Sequence, residues 1–185
     1  MKLITIIFPL LLITACNVEN STSEDVSVGK TSNSVDEVRQ HAEALLAGGE
    51  FSLEVALIQH QMYDSINSPI DTTRVYYLNV AKFLIKKGDA LLNKHLGNNL
   101  IIFLNARPKE FIESFYKTDN NHIYEVGTTM GAYIANYVPD KEQAVLKIKE
   151  GFAKNIQKGN IEQINLENQI MKAVRQTIKT LGHSR

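Results

Sequence analysis

From residue 34 to residue 185 the apolar positions return every three or four residues, the spacing that lines up one face of an α-helix. Ser34-Val35-Asp36-Glu37 has the form of a capping box, and the helix that follows carries Val35, Val38, Ala42, Leu45 and Leu46 up to Gly48-Gly49. Ser52 is placed to cap a second helix with Val55, Ile58, Met62 and Ile66, stopped by Ser68-Pro69. Asp71 is placed to cap a third, through Val75, Leu78, Ala81 and Ile85 to Gly88. Asp89 opens a fourth segment, rich in Leu and Ile through Leu104, in which Gly97-Asn98-Asn99 is a candidate break. Pro108 suits the first position of a short fifth helix with Phe111, Ile112 and Phe115 inward.

A sixth helix is expected from about Asn121 to Tyr137. Two more capping boxes, Asp140-Lys141-Glu142-Gln143 and Asn160-Ile161-Glu162-Gln163, start the last two. Val145, Ile148, Phe152 and Ile156 face one way on the first, with Gly159 as its C-terminal stop. Ile164, Met171, Val174, Ile178 and Leu181 line the second, with Lys172, Arg175 and Lys179 outside, which reads as an antiparallel hairpin. No stretch alternates as a strand does, and no Asn-Gly or Asp-Gly marks a tight hairpin. The fold class is therefore all-α, a compact bundle of seven or eight helices. The alternative is an α-solenoid of tetratricopeptide-like pairs, since helix starts recur at roughly 37 residues per pair and AEALLAGGEF is faintly similar to the opening of such a repeat. The aromatic, alanine and proline positions of that repeat do not recur.

Before residue 34 the pattern changes twice. Residues 17–33 (NVENSTSEDVSVGKTSN) lack periodic apolar positions and read as a tether, whose ends would sit roughly 20–25 Å apart as a flexible coil. Lys2 and the nearly unbroken apolar run 3–15 have the length of a signal-peptide core, whereas a membrane-spanning helix needs about 20 residues. That run ends Leu12-Ile13-Thr14-Ala15-Cys16, which resembles the lipobox of bacterial lipoproteins, with Ile13 in place of the commoner leucine. The resemblance covers the leader alone. It implies cleavage after Ala15, a thioether-linked diacylglycerol on Cys16 and, in a Gram-negative host, acylation of its amino group as well. Two or more chains anchor stably where one is marginal. Asn17 follows the cysteine where inner-membrane retention is associated with aspartate, so the resemblance implies the periplasmic face of the outer membrane in such a host. The domains expected are a signal peptide at 1–15, a lipidated tether at 16–33 and a helical domain at 34–185.

Charge and chemistry narrow the function less. Twenty basic residues balance twenty acidic ones, and loss of the leader leaves nineteen against twenty, with no surplus or stripe to suggest a nucleic-acid partner. Cys16 is the only cysteine, so no disulfide, CxxC or CxxCH chemistry is available. His41, His60, His95, His122 and His183 include no pair four apart, and Glu-x-x-His is absent, so neither a HExxH zinc helix nor a di-iron bundle is indicated. His60 and Met62 lie on different faces of one helix, which gives haem no pair of axial ligands. GxSxG, GxGxxG and GxxxxGK[ST] are missing. No cofactor or metal is expected.

Gly127, Gly131 and Ala135 fall on one face of the sixth helix at i, i+4, i+8. They suit either close approach of a neighbouring helix or a flat contact face for a partner. The seven tyrosines suit half-buried packing or protein contact. The expectation from sequence is a membrane-anchored envelope lipoprotein whose domain binds a protein partner in an accessory, assembly or immunity-type role. An envelope enzyme or small-ligand carrier with dispersed site residues is the alternative.

Overall fold

The computed structural model describes residues 35–49, 56–87, 94–115, 120–156 and 160–182. Residues 1–34, and with them Cys16, the lipobox, the tether and Ser34, lie outside the described residues, as do Ser52, Gly88, Asp89, Gly159 and His183. The described residues form eight α-helices and a single 3₁₀ turn, with no strand among them. The helices are α1 (Val35–Leu46), α2 (Ala56–Asp64), α3 (Asp71–Lys86), α4 (Lys94–Ala106), α5 (Pro108–Phe115), α6 (Asn120–Tyr137), α7 (Lys141–Ala153) and α8 (Ile161–Gly182). None is long and apolar enough to cross a membrane.

Local chemistry sets most of these ends. Past Leu46 the Gly49 N–H donates to Ala44 O at 2.9 Å and the Gly48 N–H to Leu45 O at 3.1 Å. Gly48 holds φ at +100°, the left-handed conformation this C-terminal motif requires. Asp140 Oδ1 accepts the Gln143 N–H at 2.9 Å, and Asn160 Oδ1 accepts the Gln163 N–H at 3.1 Å, so both expected caps are made. Asp71 is different. Ile70 is the N-cap and offers no side-chain bond, while Asp71 is already the first helical residue and turns its carboxylate to Arg74 Nη2 at 2.6 Å. Gly97-Asn98-Asn99 does not break α4, which runs through it. The helix α7 ends at Ala153, before the expected stop, and Ile156 packs on the core from beyond it.

One contiguous core takes residues from every helix, from Val38 in α1 to Val174 in α8. Its centre is α6. The most extensive helix pairing is α6 with α8, followed by α6 with α4. Gly127 lies opposite Ile170 and Ala173, and Gly131 lies opposite Val174 and Thr177, so α6 and α8 run parallel. His95 and Gly97 at the start of α4 meet Tyr137 and Tyr133 at the end of α6, so those two run antiparallel. The hairpin of α7 and α8 is antiparallel, with Lys141 beside Gly182, but α8 makes its main contact with α6 and not with α7. Each unit of a solenoid touches only its neighbours. Here α3 reaches α6 and α5 reaches α8, which closes the core into a bundle.

Candidate partner-binding surface

The small-residue face of α6 is covered. A Cβ built on Gly127 would stand 2.6 Å from both Ala173 Cβ and Ile170 O, and one built on Gly131 would stand 2.8 Å from Thr177 Cβ and Val174 O. Ala135, the third residue of the set, is 7% exposed. Close approach of α8 occupies this face, and no flat surface is left there for a partner. The missing side chains let two backbones meet, as small-residue pairs do at other helix crossings.

The surface that does remain open lies one layer away. Gly151 of α7 packs on Leu104 of α4, and a groove of about 780 Å³ is lined by both helices. Ile101, Ile102, Tyr133, Val138 and Ala144 give it an apolar lining. Asn98, Asn105, Gln143 and Lys147 supply polar edges. Ile102 is 45% exposed, although Leu96, Leu100, Phe103 and Leu104 on the same helix are all at 0%. Asp140 is the groove's one carboxylate, and its Oδ1 is already committed to capping α7. Asn105 Nδ2 donates to Ile101 O at 2.9 Å. The groove can therefore bury apolar surface and exchange a few hydrogen bonds, and it brings no nucleophile and base together.

A row of rings extends from this groove across three helices. Tyr133 stacks on Tyr137 with ring centroids 5.7 Å apart, and Tyr137 on His95 at 4.9 Å. The Tyr137 hydroxyl lies 3.2 Å from His95 Nε2, and His95 meets His60 edge-on at 4.7 Å. Tyr137 is 43% exposed and His60 lies at the surface. Aromatic pairs of this geometry contribute about 0.5–1.5 kcal/mol beyond buried area, and tyrosines held by such contacts lose little entropy when a partner covers them.

Spacing along the chain separates His60 and His95, so the sequence shows two scattered histidines. The packing of α2 against α4 brings them together. Among the described residues no group of three His, Cys, Asp or Glu side chains is placed to hold a metal ion. Met62 is buried while His60 faces solvent, so the two point apart. His41 is half-buried on α1, and desolvation lowers its pKa.

The chain matches no protein-family model, no curated protein and no solved structure.

Proposed function

We propose that the chain is an envelope lipoprotein, cut before Cys16 and held by acyl chains, whose helical domain binds a protein partner through the α4–α7 groove and its row of rings. Its role is accessory, assembly or immunity-type, and in a Gram-negative host it acts at the periplasmic face of the outer membrane. The observation that carries the binding half is the exposed, Tyr-bordered apolar groove, whose lining includes the half-exposed Ile102. The anchor rests on the resemblance of Leu12-Ile13-Thr14-Ala15-Cys16 to a lipobox. Tethering confines the domain to a surface and raises its effective concentration near partners in the same layer, so a modest groove suffices.

Two measurements test the two halves separately. A fatty-acid probe supplied to growing cells is expected to mark the wild-type chain and leave Cys16→Ala unmarked. A photo-crosslinker in place of Ile102 is expected to give one discrete protein adduct in the envelope, and the same group in place of exposed Asn79 on α3 to give none. An unmarked wild-type chain removes the anchor. No adduct from position 102, or the same adducts from both positions, removes the groove.

A ligand carrier is the second reading, favoured by a groove volume within the roughly 300–1,000 Å³ of small-molecule sites. It expects a small molecule to be released when protein purified from its host is denatured.

A further inference from the structure

We infer that a second groove, between the start of α7 and the end of α8, docks the domain on anionic phospholipid headgroups. The groove encloses about 560 Å³ and is open along one side. Lys141, Arg175 and Lys179 stand around it against one acid, Glu142, and Val145 and Ile178 form its apolar lining. The charge sets it apart from two other grooves of the domain. The α4–α7 groove sets Asp140 against Lys147, and the cleft over α3 and α5 sets Asp71, Glu110 and Glu113 against Arg74, Arg107 and Lys109. Of these three grooves the α7–α8 one alone carries a clear cationic excess, in a chain whose basic and acidic totals are equal.

The cations also share one face. Lys172, Arg175 and Lys179 recur at i, i+3, i+7 along α8, and Lys141 faces them from α7. Among the described residues neither Lys141 nor Arg175 forms an ion pair. Leu146, one turn beyond Glu142, is 45% exposed, so apolar surface continues along α7. Cations over an apolar trough match a phosphate with the first methylenes behind it, and flexible lysine and arginine stems reach a headgroup layer while lying on apolar surface. The attraction of a few cations is too weak to recruit a free protein firmly. It is enough to orient one that lipid already holds at the bilayer, with the α4–α7 groove left clear for a partner. This last point rests on the anchored reading, while the headgroup contact does not.

The test uses the full-length protein purified from membranes and carrying Gln176→Cys, an exposed position on the same face of α8. An environment-sensitive fluorophore on that thiol is read on vesicles of phosphatidylcholine alone and on vesicles with added phosphatidylglycerol. The expected result is a blue shift on the anionic vesicles only, reversed by high salt. Arg175→Gln and Lys141→Gln should each lower the shifted fraction about fivefold in partition, as loss of one cation near an anionic surface implies. Lys109→Gln, on α5, should change nothing. Equal emission on both vesicles, an equal effect of Lys109→Gln, or retention of polyglutamate with no shift on lipid would each overturn the assignment, the last by giving the groove to an acidic protein. Mass spectrometry of the Cys16 peptide reports acylation independently, so an unmodified Cys16 sinks the anchor and leaves the headgroup contact to be judged by its own readout.

Discussion

Gly127 of α6 lies so close to Ala173 of α8 that a β-carbon on the glycine would stand 2.6 Å from the alanine's own, well inside any real carbon contact. The other neighbour at that distance is Ile170 O, a backbone atom that cannot swing aside. Alanine is a better helix former than glycine by about 1 kcal/mol, so in an open helix Gly127→Ala would stabilise. Here overpacking of a closed crossing costs about 1–3 kcal/mol and must shift a whole helix to be relieved. Gly127→Ala and Gly131→Ala are expected to lower the denaturant midpoint by the equivalent of about 2 kcal/mol each. Gly182→Ala is the control, because only Lys141 Nζ at 3.7 Å stands near its missing Cβ. It should stay within about 0.5 kcal/mol of wild type.

The caps give the second prediction. Asp140→Ala and Asn160→Ala each remove the side-chain acceptor of a first-turn backbone N–H, so each is expected to cost about 1 kcal/mol in equilibrium unfolding. Equal stability of either variant would show that water replaces the bond there.

These caps were legible in the sequence because a cap is made within four residues. So was Pro108 opening α5, and so were Phe111, Ile112 and Phe115, all at 2% exposure or less. Asp71 misled for a local reason that the same four residues conceal: its carboxylate has a stronger claimant in Arg74, one turn on, than in any backbone N–H. Gly97 misled for a non-local one. It looks like a break, yet it sits mid-turn in α4 against Thr129 O and 2.8 Å from Tyr133 Cβ as measured to a built Cβ, a contact that only the α4–α6 crossing creates. The parallel pairing of α6 with α8, and the meeting of His60 with His95, likewise depend on which helix crosses which. Periodicity states that a face is buried and says nothing of what buries it.

Arg74 carries the third prediction. The residue is 4% exposed, and its guanidinium donates from Nε to both Glu110 oxygens at 2.8 and 3.1 Å, from Nη1 to Ser68 O at 2.8 Å and from Nη2 to Asp71 at 2.6 Å. The residue ties the entry of α3 to α5. Of its two carboxylate partners, Glu110 matters more although Asp71 is nearer, because the Asp71 side chain is 82% exposed and that of Glu110 only 29%. Arg74→Lys keeps the charge and loses the planar fork, so one compact ammonium cannot span acceptors that three separate guanidinium nitrogens now serve. It is expected to cost about 2 kcal/mol or more. A double-mutant cycle should find coupling of about 1–3 kcal/mol between Arg74 and Glu110, and a smaller value between Arg74 and Asp71. Full rescue by lysine would show that charge alone holds the junction.

His41 carries the last. It sits half-buried on α1 with its Nε2 shielded from solvent and without a hydrogen-bond partner among the described residues. Desolvation lowers its pKa below the ordinary 6.5, because the charged ring loses more hydration than the neutral one. In the interval between the lowered folded value and 6.5 the unfolded chain binds more protons than the folded one, so stability rises with pH across it. The contribution is complete above about pH 6.5, declines as pH falls below that value, and levels off once the folded state also takes up the proton. NMR titration should place the His41 midpoint below 6.5. His41→Gln, which cannot titrate, should lose less of its melting temperature than wild type between pH 7 and pH 5. A His41 midpoint above 6.5 would mean that the ring is stabilised in its charged form, and parallel losses in the two proteins would mean that its titration is not coupled to folding.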